Sequence, residues 1–189
     1  EKTLPFSSHF FLNPLKYINR FFFFKKVDYL LILTRIKDHT RGDPWDSSIW
    51  NKQYLKSIIN ISHFLSKNKN YSYSIRFHPH QESCYKDYLL THIPNERIDR
   101  NKTMGSAIMR AQVVIATQNS TVFLECIFYN IPVLIFWDTN INQIKEEALN
   151  YFAMLESVGI FHKNITSLMK FIDANNANII QWWYSDLLL

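Results

Sequence analysis

Apolar residues along this chain fall into short solid runs, separated by stretches in which they recur every three or four positions. Val27 to Thr34, Gln112 to Thr117 and Val133 to Trp137 are such runs, rich in β-branched side chains. Runs without polar alternation suit strands buried on both faces, as parallel sheets require. Tyr73 to Phe77 alternates and predicts a further strand, while the Ile98 region and Ile160 to His162 predict two short ones. The intervening stretches read as helices. After a cap at Asp46, Ser47 or Ser48, residues Ile49, Tyr54, Leu55, Ile58, Ile59, Ser62 and Leu65 trace one helical face that ends near Asn68 and Asn70. Ser83 to Thr91, Thr103 to Arg110 (capped by Thr103) and Ser120 to Tyr129 give three more. The clearest amphipathic pattern spans Asn142 to Ser157, through Ile144, Ala148, Tyr151, Phe152, Leu155 and Val158, with Gly159 as its left-handed stop. Asn164 caps a helix reaching Ala174, and Trp182-Trp183 closes the domain. Strands alternating with helices predict an α/β fold, a doubly wound and mainly parallel sheet. A single domain of residues 27–189 is expected, behind a lead-in or interdomain segment of residues 1–26.

Composition narrows the class. With 189 residues, 47% hydrophobic and 16% aromatic, the chain can bury one sizeable core. A net charge of +5 favours phosphorylated ligands or an anionic membrane surface and does not by itself argue for nucleic acid. The two cysteines, Cys84 and Cys126, have neither disulfide-framework nor metal-ligand spacing, so no metal site is expected and a reducing cytoplasm fits best. No apolar run reaches the roughly 18 to 20 residues needed to cross a bilayer. Only three glycines occur, Gly42, Gly105 and Gly159, which excludes the dinucleotide fingerprint and the glycine-rich phosphate loop of common NTPases. No cofactor is expected, and any phosphate must be held in another way. The lead-in carries Phe21 to Phe24 flanked by Arg20, Lys25 and Lys26. It reads either as a packed connecting segment or as a surface facing a further domain or the inner face of the cell membrane. The first residue is Glu1, not Met, which suggests a piece of a longer protein.

Candidate chemistry gathers where predicted strands end. The strand from Gln112 stops at Thr117-Gln118-Asn119-Ser120-Thr121, which opens a helix. A hydroxyl-rich helix start directs backbone N–H groups and a positive dipole end at one spot, which suits a phosphate. Local capping needs only one such residue, so Asn119, Ser120 and Thr121 together point to phosphate or ribose contact. Glu125 lies near the start of this helix and either favours the dipole or accepts ribose hydroxyls. The second anion-suited turn follows Tyr73 to Phe77, in Arg76-Phe77-His78-Pro79. Pro79 fixes the backbone as it leaves the sheet and His78 stands at the edge where ligands gather in such folds. There an imidazole can stabilise or protonate a leaving phosphate, or simply hold the turn. Arg76 is a weaker candidate that can instead face the other side of the sheet and pair with a carboxylate. Asp138, after the strand Val133 to Trp137, lies on the same predicted edge.

Taken in order, Arg76-Phe77-His78-Pro79, Asn119-Ser120-Thr121-Val122-Phe123-Leu124-Glu125, Asn130-Ile131-Pro132, Phe136-Trp137-Asp138, Glu146-Glu147-Ala148 and Gly159-Ile160-Phe161-His162 resemble the carboxyl-terminal part of a family of bacterial surface-polysaccharide transferases. The resemblance runs from Tyr73 to Trp183. More distantly, the arrangement is similar to the Rossmann-like, nucleotide-sugar-binding half of GT-B glycosyltransferases. Carried over, it implies that His78 is a phosphate ligand and leaving-group acid, that Ser120 and Thr121 contact phosphate, and that Glu125 is a second-line nucleotide contact. Such enzymes pair two domains, so this chain is expected to hold mainly the donor half, with an acceptor domain elsewhere. The resemblance implies a glycosyltransferase of cell-envelope polysaccharide synthesis, with a nucleotide-sugar donor, a glycan or lipid-linked acceptor and no nucleic-acid partner. Two alternatives remain at this stage: a nucleotide-sugar epimerase or hydrolase of the same architecture, and a non-catalytic binding or scaffold module.

Overall fold

A computed structural model describes residues 27–36, 47–68, 71–139 and 143–185. Residues 1–26, read from the sequence as a lead-in, and residues 37–46 lie outside the described residues. Five strands form one sheet: β1 (Val27–Ile32), β2 (Tyr73–Arg76), β3 (Ala111–Ala116), β4 (Val133–Phe136) and β5 (Phe161–His162). All neighbours are parallel, in the order β2-β1-β3-β4-β5. The expected α/β, Rossmann-like architecture is therefore present. The Ile98 region contributes a single parallel bridge to Ile75 on the outer side of β2. Counting that bridge as a strand gives the 3-2-1-4-5-6 order of doubly wound nucleotide-binding folds.

Seven helices cover the sheet among the described residues: α1 (Ser47–Lys67), α2 (Ser83–Leu90), α3 (Met104–Arg110), α4 (Thr121–Phe128), α5 (Leu149–Ser157), α6 (Ile165–Asn175) and α7 (Ile179–Trp183). Strand alternation divides the core. Tyr29, Leu31, Tyr73, Ile75, Val113, Ile115, Leu134 and Phe136 face α1 and α6, where Tyr54, Leu55, Ile58, Leu65, Leu168 and Ile172 are buried. The alternate positions Leu30, Ile32, Val114, Ala116, Val133 and Ile135 face α3 and α4, meeting Ala107, Ile108, Val122, Phe123 and Cys126. Both faces are dry, which is why the strands read as unbroken apolar runs.

Local chemistry sets the ends of the helices. Thr103 and Ser106 form a reciprocal capping box at the start of α3. The Asn164 side chain accepts the Ser167 N–H at 2.9 Å and caps α6. Gly159, at φ +80°, ends α5, with the Ile160 N–H returning to the Leu155 carbonyl at 2.8 Å. Asn130, at φ 54°, plays the same part after α4, and its side chain accepts the Trp183 indole N–H at 2.8 Å.

One predicted helix comes out differently. The amphipathic stretch expected to run unbroken from Asn142 is helical as α5 only from Leu149, preceded by a 3-10 turn at Glu146–Ala148. Ile144, Phe152, Leu155 and Val158 still pack on the core, whereas Tyr151 is exposed. The change from 3-10 to α geometry rotates the face, so a spacing counted through the junction misplaces one residue. Of the three cap candidates for α1, Ser47 and Ser48 lie inside the helix and Asp46 lies outside the described residues. Among the described residues no helix is long and apolar enough to cross a membrane.

Candidate functional site at the sheet switch point

β1 sits at the reversal of strand order, with β2 on one side and β3 on the other. Connections leave its two neighbours toward opposite faces, and in such sheets this reversal marks the usual ligand position, the crevice outside the carboxyl ends. Ile32, near the end of β1, is in register with Arg76 on β2 and with Ala116 on β3. The ends of β2 and β3 thus flank β1 at the same height, about 10 Å apart as two strand spacings. The turn carrying His78 and the segment leading to α4 rise from these two ends.

A chain of hydrogen bonds holds the crevice floor. The Thr34 N–H donates to the Tyr54 hydroxyl at 3.0 Å, which lies 2.6 Å from Thr117 Oγ1, and Thr117 donates to the Ile32 carbonyl at 2.8 Å. With the Thr117 proton committed to Ile32, the Tyr54 hydroxyl donates to Thr117. This series joins β1, α1 and β3 and satisfies each buried polar group. Burial pushes the Tyr54 phenol up to about 12, against the opposing pull of its bonds to Thr117 and the Thr34 backbone, so it stays neutral.

On the β3 side, Ser120 is the N-cap of α4 with extended backbone (φ −135°, ψ 161°), yet its side chain makes no capping bond. The first N–H groups of α4 thus lack the side-chain acceptor that Thr103 and Asn164 supply to α3 and α6. Asn119 and Thr121 are exposed, and Ser120 is half-buried. Glu125 is also exposed but stands a full turn into α4, which has no acidic residue in its first turn. The expected dipole position is therefore occupied by none of them.

On the β2 side, the Gln81 N–H closes the His-Pro turn onto the His78 carbonyl at 3.0 Å. The His80 N–H donates to His78 Nδ1 at 3.1 Å, so the neutral imidazole carries its proton on Nε2. Pro79 and His80 are exposed and His78 partly so. Desolvation, His80 and the Arg35 guanidinium together hold the His78 pKa below the usual histidine value. Without an anion beside it, His78 is a neutral donor at pH 7.

Arg76 lies elsewhere. It forms an ion pair with Asp99 and donates to the Asn101 carbonyl at 2.9 Å. Those partners follow the Ile98 bridge along the outer side of β2, away from β1. The carboxylate pairing weighed from the sequence is thus the arrangement found, and it ties the outer strand edge together. Asp138 is half-buried beyond β4, one strand further from β1 than Thr117. Among the described residues no cluster of three or more potential metal ligands is assembled.

Arg35, Tyr54 and Gln81 were not evident as site residues. Arg35 and Gln81 sit in loops without a motif, and Tyr54 reads as one apolar position in a helix. Only the β1 termination beside two anion-suited turns signals them.

No curated protein and no solved structure matches the chain. Residues 20–188 match the family described as LIC12162 family transferase, a span that includes the whole sheet and both sides of the crevice. The chain belongs to the LIC12162 family of transferases.

Proposed function

We propose that the crevice binds the phosphate of a nucleotide-activated sugar and that the protein transfers that sugar in cell-envelope polysaccharide synthesis, this chain supplying mainly the donor-binding half. The observation that carries this reading is the placement of the His78 turn and the uncapped mouth of α4 on either side of the β1 end. In the proposed reaction an acceptor hydroxyl on a glycan or lipid-linked acceptor forms a bond to the anomeric carbon. The bond from that carbon to the phosphate oxygen breaks, its electron pair stays on the nucleotide, and the acceptor proton passes to a base. Negative charge grows on the leaving phosphate. The α4 N–H groups and His78 Nε2–H are suited to stabilise it, and a phosphate beside His78 raises the imidazole pKa and lets it deliver a proton.

Asn119, Ser120 and Thr121 serve as phosphate or ribose contacts in this reading. Glu125 and Asp138 are more distant candidates for ribose or sugar hydroxyls, and Pro79 fixes the turn. The reaction takes place at the cytoplasmic side of the membrane. A thermal-shift screen with CMP, UDP, GDP and dTDP tests the reading, since a ligand bound only by the folded chain raises the melting temperature. One of these should stabilise the protein, and His78→Ala and Ser120→Ala should each weaken it about tenfold or more, as expected for a lost bond to a charged group. Unchanged affinity in both variants rules the reading out.

A further inference from the structure

The His-Pro turn is fastened to the end of β1 by one side chain. Gln81 Oε1 accepts the Ile36 N–H at 2.9 Å, and Gln81 Nε2 donates to the Ile36 carbonyl at 3.1 Å. The same residue closes the turn through its backbone N–H on the His78 carbonyl. Ile36 is 1% exposed, so the clamp is anchored in the core. Arg35, immediately before it, is exposed and within electrostatic reach of His78. Its charge is one of the causes that lower the His78 pKa, and among the described residues it pairs with no carboxylate. An arriving anion would satisfy both.

We propose that Arg35 is a further phosphate contact of this crevice and that Gln81 is the positioning residue that holds it against the His78 turn. The proposal rests on the reading of the crevice as a phosphate site and divides its labour. The Arg35 guanidinium offers two parallel N–H donors to phosphate oxygens, whereas His78 gains charge only with the ligand. Among the described residues, the charged and titratable groups that act on His78 are Arg35 from the β1 loop and His80 from its own turn. Gln81 touches no ligand and acts by fixing the Arg35 backbone through its neighbour.

Calorimetric titration with inorganic pyrophosphate, with the His78 resonance followed by NMR, separates the parts. Arg35→Ala should weaken pyrophosphate about tenfold or more and Arg35→Lys less, because only the fork is lost. In the ligand-free protein, Arg35→Ala should also move the His78 titration upward, since a like charge is removed. Gln81→Ala should weaken binding in the parent protein but add nothing in the Arg35→Ala background, the signature of action through that residue. Gln81→Asn, one methylene short of Ile36, repeats the cycle at smaller structural cost. If Arg35→Ala stays within twofold while His78→Ala loses pyrophosphate, this assignment fails and the phosphate site stands. Equal losses for Gln81→Ala in both backgrounds overturn its positioning of Arg35. No pyrophosphate binding by the parent protein removes the site and this inference together.

Discussion

Acid should destabilise this protein through a residue outside the crevice. His162, at the end of β5, is 3% exposed; its Nδ1 lies 3.0 Å from Ser167 Oγ, and its ring rests against Phe171. Burial depresses its pKa to about 4, from an ordinary 6.5, against smaller opposing effects of the Gly159 backbone and Glu156. The sign follows from proton counting. Between pH 6.5 and 4 the unfolded chain binds a proton at this position that the folded chain refuses, so stability is intact above 6.5 and falls as pH drops through that window. The full difference is worth about 3 kcal/mol, of which about 2 kcal/mol is already lost at pH 5. Urea unfolding at pH 7.5 and pH 5 measures it, with His162→Gln as the control that retains a polar partner for Ser167 without titrating there. Other groups titrate alike in both proteins, so the parent should lose about 2 kcal/mol more than the variant between the two pH values. Equal losses would show that His162 is not held neutral by the fold, and the account of its burial would fail.

Gly159→Ala should cost about 2–4 kcal/mol in urea unfolding, since an alanine resists the left-handed backbone and its Cβ would press on the Phe171 ring, 3.0 Å from Cδ2 and closer to Cε2. A loss below 0.5 kcal/mol would mean that α5 ends in another way. Tyr54→Phe removes the acceptor of the Thr34 N–H and the donor to Thr117 Oγ1, so it should destabilise the fold by about 1–3 kcal/mol and slow no exchange elsewhere in the sheet. Hydrogen exchange should accelerate at Thr34 and Thr117; unchanged protection there refutes the coupling of β1 to β3 through this phenol.

What the amino-acid order determined by itself was local and periodic. Unbroken runs such as Val133 to Trp137, short and rich in β-branched residues, read as strands covered on both faces, and Thr103, Asn164 and Gly159 fix helix ends through bonds to neighbours a few residues away. The His-Pro turn and the hydroxyl-rich mouth of α4 were legible for the same reason, since each is a contiguous segment at the end of a strand. The tertiary structure decided which strand lies between them and which side chains cross. That β1 separates β2 from β3 follows from sheet order, which no local pattern encodes. Arg76 turned to Asp99 because the Ile98 segment pairs along the outer side of β2, twenty-odd residues further along the chain. Gln81 found Ile36, and Tyr54 found Thr117, across 45 and 63 positions. Such contacts depend on the packing of distant elements against one core, and so they become visible only once the chain has closed on itself.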